Sequence, residues 1–456
     1  MKKTVVINVV GLTKRLIGEH TPFLKSFMEK GSAAVIRPVL PAVTCAAQAT
    51  YLTGKWPAEH GIVGNGWYFK DECEVKFWRQ SNTLVQAPKI WDSLKEKDPN
   101  FTCANHFWWY NMYSNVDYSI TPRPNYLADG RKIPDVYSHP AALRDKAQQE
   151  LGTFPLFEFW GPRTSIRSSQ WIADAAIMTD KDHDPTLTLI YLPHLDYNIQ
   201  RYGVDFQRIA KDLKEVDAVV GQLVAHYDTS ETNVIILSEY GITNVSRPVH
   251  LNRVLRKAGH LAIRVERGLE LLDAGASSAF AVADHQLAHV YVKDKGDLPK
   301  IKALLEQQEG VEQVYAGEDI KKVHLDHGRS GDLVVVADKE SWFTYYFWLD
   351  DAKAPDYARM VDIHKKPGYD PVEMLTDPKD KWVMAKVAWK LLKKKMGFRT
   401  VLDIIPLKAE LIKGSHGRVP EEEEDFPIIM SNKASLSKKT VSAVDVYGII
   451  TQQVLS

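Results

Sequence analysis

The chain has 456 residues, 45% hydrophobic and 25% charged, an ordinary globular composition that excludes a disordered or low-complexity protein. Lysine plus arginine equals aspartate plus glutamate at 58 each. No global field therefore favours a nucleic-acid polymer or an anionic membrane, and an anionic ligand has to be met by local groups. The three cysteines, Cys45, Cys73 and Cys103, are an odd number without metal-ligand spacing and read as reduced thiols of a cytoplasmic protein. The apolar run after Met1 stops at Gly11 and meets Lys14 and Arg15 with no small-residue cleavage site. No apolar run of about 20 residues follows it. The expectation is a soluble protein with no membrane partner.

Residues 3–10 are a nearly unbroken β-branched run, the pattern of a strand buried on both faces of a parallel sheet. Thr21-Pro22, then Leu24, Phe27 and Met28, then Gly31 predict a capped amphipathic helix. Ala33–Val39 reads as a second strand and Thr44–Thr53 as a second helix. Strand, helix, strand, helix is the order of a doubly wound α/β sheet. Thr44 falls in the first turn of its helix, where unpaired N–H groups and the positive dipole end favour an anion. A plain capping role explains a threonine there equally well.

From 65 to 180 the rhythm gives way to aromatics, among them Trp67, Trp78, Trp91, Trp108, Trp109, Trp160 and Trp171, broken by Pro122, Pro124, Pro134 and Pro140. This stretch is expected to be an insertion or cap over the sheet. Regular order returns with the strand Thr186–Leu192, which runs into His194 and Asp196, and with an apolar helix stripe at Ile209, Leu213, Val216, Val220 and Leu223. The strand Asn233–Leu237 then runs into Ser238-Glu239-Tyr240-Gly241. Two successive strands thus release polar residues at their C-terminal ends, where open α/β sheets hold ligands. Farther on come the strands Ala288–Val292 and Asp332–Ala337, separated by a helix over Leu298–Gln308. A lysine-rich helix ending at Lys395 reads as a solvated face, and the chain passes His416 before a final element after Ala443.

Pro41–Gly54 with Glu59-His60-Gly61-Ile62-Val63-Gly64-Asn65, followed by the Asp196, Ser238–Gly241, Ser415-His416-Gly417 and Asp445 segments in that order, resembles the alkaline phosphatase superfamily, in its nucleotide pyrophosphatase/phosphodiesterase branch. The resemblance covers most of the chain. It implies one alkaline-phosphatase-like α/β domain over 1–456 with a mostly parallel central sheet flanked by helices, and residues 65–180 as the insertion. It also implies hydrolysis of a small phosphate ester by Thr44 as nucleophile, assisted by two zinc ions that neutralise charge on phosphorus and on the leaving oxygen.

Residue by residue, Thr44, Asp196 and His416 match the family pattern, with Glu239 as a longer carboxylate. Thr44, Asp196, Glu239 and His416 are the implied metal ligands. Gln200, Tyr240 and His194 stand as altered contacts to the ion or substrate. Val10 replaces a carboxylate before Gly11, Gln200 and Tyr240 replace histidines, and Ala47 and Gln48 replace an asparagine and a histidine. Fewer imidazoles suit a harder ion than zinc, such as Mg²⁺, Mn²⁺ or Ca²⁺, or no ion at all. Arg123, Arg247 and Arg329 are candidate phosphate contacts, and His194 and His327 candidate substitute ligands. Asn8, on the strand face of Val10, is expected to lie too deep to take part. The alternative function is a non-catalytic relative that binds a phosphorylated metabolite or a partner protein in the same cleft.

Overall fold

The computed structural model describes the chain except residues 129, 228, 399, 434 and 435 and the side chain of 394. Its first half contributes β1 (Thr4–Val9), α1 (Pro22–Lys30), β2 (Ser32–Arg37), α2 (Thr44–Thr53), β3 (Cys103–His106), β4 (Tyr118–Pro122), β5 (Val136–His139), β6 (Leu187–Leu192), α3 (His194–Tyr202), α4 (Phe206–His226) and β7 (Asn233–Leu237). There follow β8 (Ala279–Asp284), β9 (Leu287–Val292), β10 (Val311–Ala316), β11 (Leu333–Ala337), α5 (Val383–Lys395), β12 (Ile428–Ser431), β13 (Thr440–Ser442) and α6 (Asp445–Leu455).

Nine strands form the main sheet in the order β13-β2-β12-β7-β1-β6-β3-β4-β5. The β-branched run of β1 is wholly buried and pairs in parallel with β6 on one side and β7 on the other. β12 runs antiparallel to both its neighbours and β5 antiparallel to β4, and the remaining pairs are parallel. The chain leaves β1 for β2 on one side of it, builds β3, β4 and β5 on the other, and returns through β6 to β7, crossing β1. The C-terminal ends of β7, β1 and β6 are therefore a topological switch point, the crevice where such sheets take ligands. Gly11 turns the chain out of β1 with φ +78°, a conformation glycine adopts freely. Gly241 bridges to it at a place where a Cβ would stand 1.9 Å from the Asp425 carbonyl oxygen.

The stretch 65–180 differs from the expected cap, because β3, β4 and β5 extend the main sheet and Phe107, Trp91, Trp108 and Trp171 fill the main core. Alternation and prolines hid these strands, which are only four or five residues long. The layer over the switch point instead comes mainly from a second core, built on the four-stranded sheet β8-β9-β11-β10 and including the buried aromatics Trp342–Trp348. The lysine-rich helix forms as expected over Val383–Lys395, but it exposes large apolar side chains along with its lysines.

Candidate active site

Helix α2 begins at Thr44 and ends at Gly54, in the left-handed conformation that closes helices. Every residue of α2 is buried, so its first turn is delivered rigidly to the switch point. There Thr44 Oγ1 lies 3.3 Å from the Tyr240 phenol oxygen. Tyr240 in turn donates to Asp196 Oδ1 at 3.2 Å. With the phenol proton directed at Asp196, the Thr44 hydroxyl is the donor to Tyr240. The chain Thr44, Tyr240, Asp196 is thus continuous and directional. Asp196 Oδ2 accepts from Gln200 Nε2 at 2.8 Å, one helical turn on.

Glu239 follows β7 and is held from the opposite side. Its Oε1 accepts from Asn8 Nδ2 at 2.5 Å and from Gln48 Nε2. Gln48 Oε1 is fixed by the Trp109 N–H at 2.5 Å. Thr44 also lies within hydrogen-bonding reach of Glu239. Glu239 Oε2 is buried without another partner.

These environments separate two acids that the sequence could only name together. Burial pushes Glu239 up to about 8, against donation from Gln48 and Asn8. Asp196, also raised by burial but opposed by Gln200 and Tyr240, reaches only about 6. At neutral pH Glu239 therefore carries a proton, on the Oε2 that its amide partners leave free, and Asp196 is an acceptor. Pushing two neighbouring titrating groups apart in this way is how sites assign acid and base roles. Tyr240, raised well above its usual range by burial, stays a neutral conduit.

His416 donates Nδ1–H to the Ala42 carbonyl at 2.7 Å. Burial lowers it to about 3, so it is neutral and its Nε2 lone pair has no hydrogen-bond partner. Its ring is stacked at 3.6 Å on Tyr240 and meets His285 at 3.6 Å with a 38° tilt, and His285 stacks on Tyr369 at 3.7 Å. Trp78 and Trp160 reach Tyr369 at 5.9 and 5.7 Å, and Trp109 lies against Trp78. A column of rings thus roofs Thr44. Three of these tryptophans come from the stretch expected to cap the site.

The structure brings together Thr44, Asp196, Glu239, His416, Gln200 and Tyr240, and it moves His194 elsewhere. His194 is two residues before Asp196 on α3, about 200° around the helix. Its Nε2 faces Asp212 and Glu215 of α4 at 3.2 Å each. His327 is likewise not at the site; it pairs with Gln86 at 2.7 Å. Arg329 donates to the Gly61 and Leu84 carbonyls, and Arg247 forms ion pairs with Glu309 and Asp338. Asn8, expected to be too deep, holds Glu239.

Sequence reading missed Asp284, which accepts from the Asn65 N–H at 2.7 Å and from Asn65 Nδ2 at 3.0 Å, while Asn65 Oδ1 takes the Cys45 N–H in the first turn of α2. An acid ending the apolar strand Ala279–Asp284 was the available signal. Tyr369, which contacts Gln200 at 3.2 Å, gave none. Cys45 is a core thiol whose pKa burial raises well above its usual value.

A two-ion centre does not fit this donor set. Val10 is apolar, Tyr240 is a neutral phenol, and His416 is the one imidazole near Asp196, with its Nε2 3.9 Å from Oδ1. Both Asp196 oxygens already hold neutral donors, and Glu239 takes two amides on one oxygen. Among the described residues, the one trio of histidine and carboxylate atoms close enough to share an ion is His194, Asp212 and Glu215, on the other side of α3.

The type I phosphodiesterase / nucleotide pyrophosphatase family matches residues 4–370. An uncharacterized pyrophosphatase/phosphodiesterase of Schizosaccharomyces pombe is 27% identical over 52% of this chain and 41% of its own length. Ectonucleotide pyrophosphatase/phosphodiesterase 2 of Saccharomyces cerevisiae is 25% identical over 79% of this chain and 68% of its own. The chain thus spans less than half of the first relative and about two thirds of the second. Among solved structures, murine ectonucleotide pyrophosphatase/phosphodiesterase 5 in complex with AMP aligns at a TM-score of 0.60 and 16% identity, over 100% of this chain and 95% of that one. Phosphonoacetate hydrolase from Sinorhizobium meliloti 1021, in complex with phosphonoformate, aligns at 0.60 and 13% identity, over 99% and 96%. These likenesses share the alkaline-phosphatase-like α/β fold. On the family match, the chain belongs to the type I phosphodiesterase / nucleotide pyrophosphatase family of the alkaline phosphatase superfamily.

Proposed function

We propose that this protein hydrolyses a small phosphate ester, with Thr44 as nucleophile and Asp196 as the base that receives its proton through Tyr240. The observation that carries this reading is the directional chain from Thr44 Oγ1 to Tyr240 at 3.3 Å and on to Asp196 at 3.2 Å. As Thr44 Oγ1 bonds to phosphorus, its proton passes to the phenol oxygen and the phenol proton passes to Asp196 Oδ1. The bond from phosphorus to the leaving oxygen breaks, and protonated Glu239 supplies the proton that oxygen takes up. Water then cleaves the phosphothreonine by the same relay in reverse. Charge on the phosphoryl oxygens is met by the positive end of α2, where Asn65 already holds the Cys45 N–H. The metal-assisted form of this chemistry finds too few ligands here, so no step passes through an ion.

The relatives' names, and the AMP and phosphonoformate in two neighbours, support a small organophosphate as substrate, with a phosphodiester or pyrophosphate bond. The three free thiols support work in a reducing compartment such as the cytoplasm. Because Thr44, Asp196 and Glu239 are buried, substrate enters when the aromatic roof moves.

The test is turnover of a panel of phosphodiesters and nucleotide pyrophosphates with and without chelator. Expected are chelator-insensitive turnover and a loss of about 10³-fold or more in kcat for Thr44→Ala. A second reading, a non-catalytic binder, is favoured by Val10, Gln200 and Tyr240, which stand where the family pattern has metal ligands. It gains if no substrate turns over while a nucleotide still raises the melting temperature of both wild type and Thr44→Ala.

A further inference from the structure

Between the 3-10 turn Pro371–Met374 and the next at Ala409–Leu411 the chain makes an excursion that contains α5. Twenty large apolar side chains are exposed among the described residues, and nine of them fall between 382 and 402. Trp382 is 72% exposed, Met384 74%, Trp389 54% and Phe398 62%. These are fractions that isolated surface residues reach singly; a dense group of them marks an interaction surface. The same stretch is the most basic of the chain. Residues 379–399 carry seven lysines and Arg399 against the one acid Asp380, in a protein whose charges balance only when this stretch is counted.

Spacings of four and three set Lys386, Lys390 and Lys393 on one stripe of α5; Trp389 borders that stripe with the Lys393 ammonium 5.3 Å from its ring centre, and Met384 and Leu391 lie on the far side. The lysine stripe is partly engaged at home: Lys390 pairs with Asp403 and donates to the Val401 carbonyl, and Lys386 pairs with Asp380. Met384, Trp389, Leu391 and Leu392 remain open to solvent. The helix ends before Gly397, at φ +89°, and the exposed apolar surface continues past it in non-helical Phe398, Val401 and Leu402.

We propose that this excursion lies on an anionic lipid surface, with its tryptophans and methionine at the headgroup boundary and its lysines meeting the lipid charge. A lysine-rich helix that exposes tryptophan and other large apolar side chains is the type that lies in a membrane interface. Indole rings prefer that depth, and each nearby lysine adds electrostatic attraction. A groove in a protein partner would take one stripe of a continuous helix. Here the apolar surface runs off the helix end as a broad patch, which a planar interface covers better. Nothing in this proposal depends on catalysis at Thr44.

The full chain is tested by flotation with phosphatidylcholine vesicles that do or do not contain phosphatidylserine. Binding is expected to phosphatidylserine vesicles, to weaken on raising salt, and to blue-shift tryptophan emission. The triple variant Trp382→Ser, Met384→Ser, Trp389→Ser is expected to lower vesicle affinity by about tenfold or more. Lys379→Glu with Lys381→Glu and Lys393→Glu is expected to remove the preference for phosphatidylserine while leaving the melting temperature unchanged. Failure of the wild type to float, or equal binding by the triple variant, overturns the proposal. Self-association lost in the triple variant, without vesicle binding, overturns it in favour of a second copy of this chain.

Discussion

Two pairs of buried carboxylates sit on either side of Tyr369, and the fold treats them in opposite ways. Asp370 and Glu373 enclose Lys366, whose ammonium is 2.7 Å from each, and all three are at most 5% exposed. Trp160 Nε1 completes the shell of Glu373 at 2.6 Å. Asp196 and Glu239 are equally buried but meet only amides, hydroxyls and a phenol. At the first pair the chain supplies a cation. At the switch point it supplies none, and burial then leaves one acid protonated and the other poised near neutrality, a state suited to proton transfer.

Breaking the charged cluster should have the largest effect on stability. Lys366→Met leaves two buried carboxylates without their cation and is expected to cost about 3–5 kcal/mol in urea unfolding. Adding Asp370→Asn and Glu373→Gln to it should restore much of the loss. Tyr240→Phe interrupts the uncharged cluster while keeping the ring on His416. A fall in kcat of about 10²-fold, near 2.7 kcal/mol, with little change in KM is expected; an unchanged kcat would exclude the relay. The pH profile of kcat should rise through about 6 as Asp196 ionises and fall through about 8 as Glu239 loses its proton.

Stability carries the same signature more weakly. The folded pKa of Glu239, about 8, lies above its ordinary value of 4.5. Its contribution is therefore full below the lower value and is lost as pH rises through the higher one. Asp196, at about 6, and Asp284, at about 7, act in the same direction. Glu239→Gln keeps an oxygen for Asn8 and Gln48, so above about pH 8 it should exceed the wild type by about 1–2 kcal/mol and lose the alkaline limb of any activity. Equal stability of the two proteins across that range would show that Glu239 is ionised in the folded state.

Much of this was legible in order along the chain. The β-branched run of β1, the proline and glycine that bound α1, and the helix Thr44–Thr53 announce themselves by local periodicity and capping, because each is decided within a few residues. The strand ends at Asp196 and Glu239 follow from the same grammar. Short strands such as Cys103–His106 did not announce themselves, since four residues amid aromatics and prolines carry no period. The lysine run predicted a helix correctly, but periodicity alone does not say which arc the rest of the fold covers.

The sequence by itself determined where Thr44 stands, at the head of a small-residue helix beside the ends of buried parallel strands, because helix starts and strand ends are local facts. Only the tertiary structure decided what surrounds it. Asn8 and Gln48 meet Glu239 across 231 and 191 residues, and His416 meets Tyr240 across a comparable distance in the chain. Whether a glutamine faces an ion or a carboxylate, and whether a buried acid keeps its proton, depends on donors brought together by folding. That is why the substitutions at Gln200 and Tyr240 read as losses in the sequence and, once folded, join one connected hydrogen-bonded site.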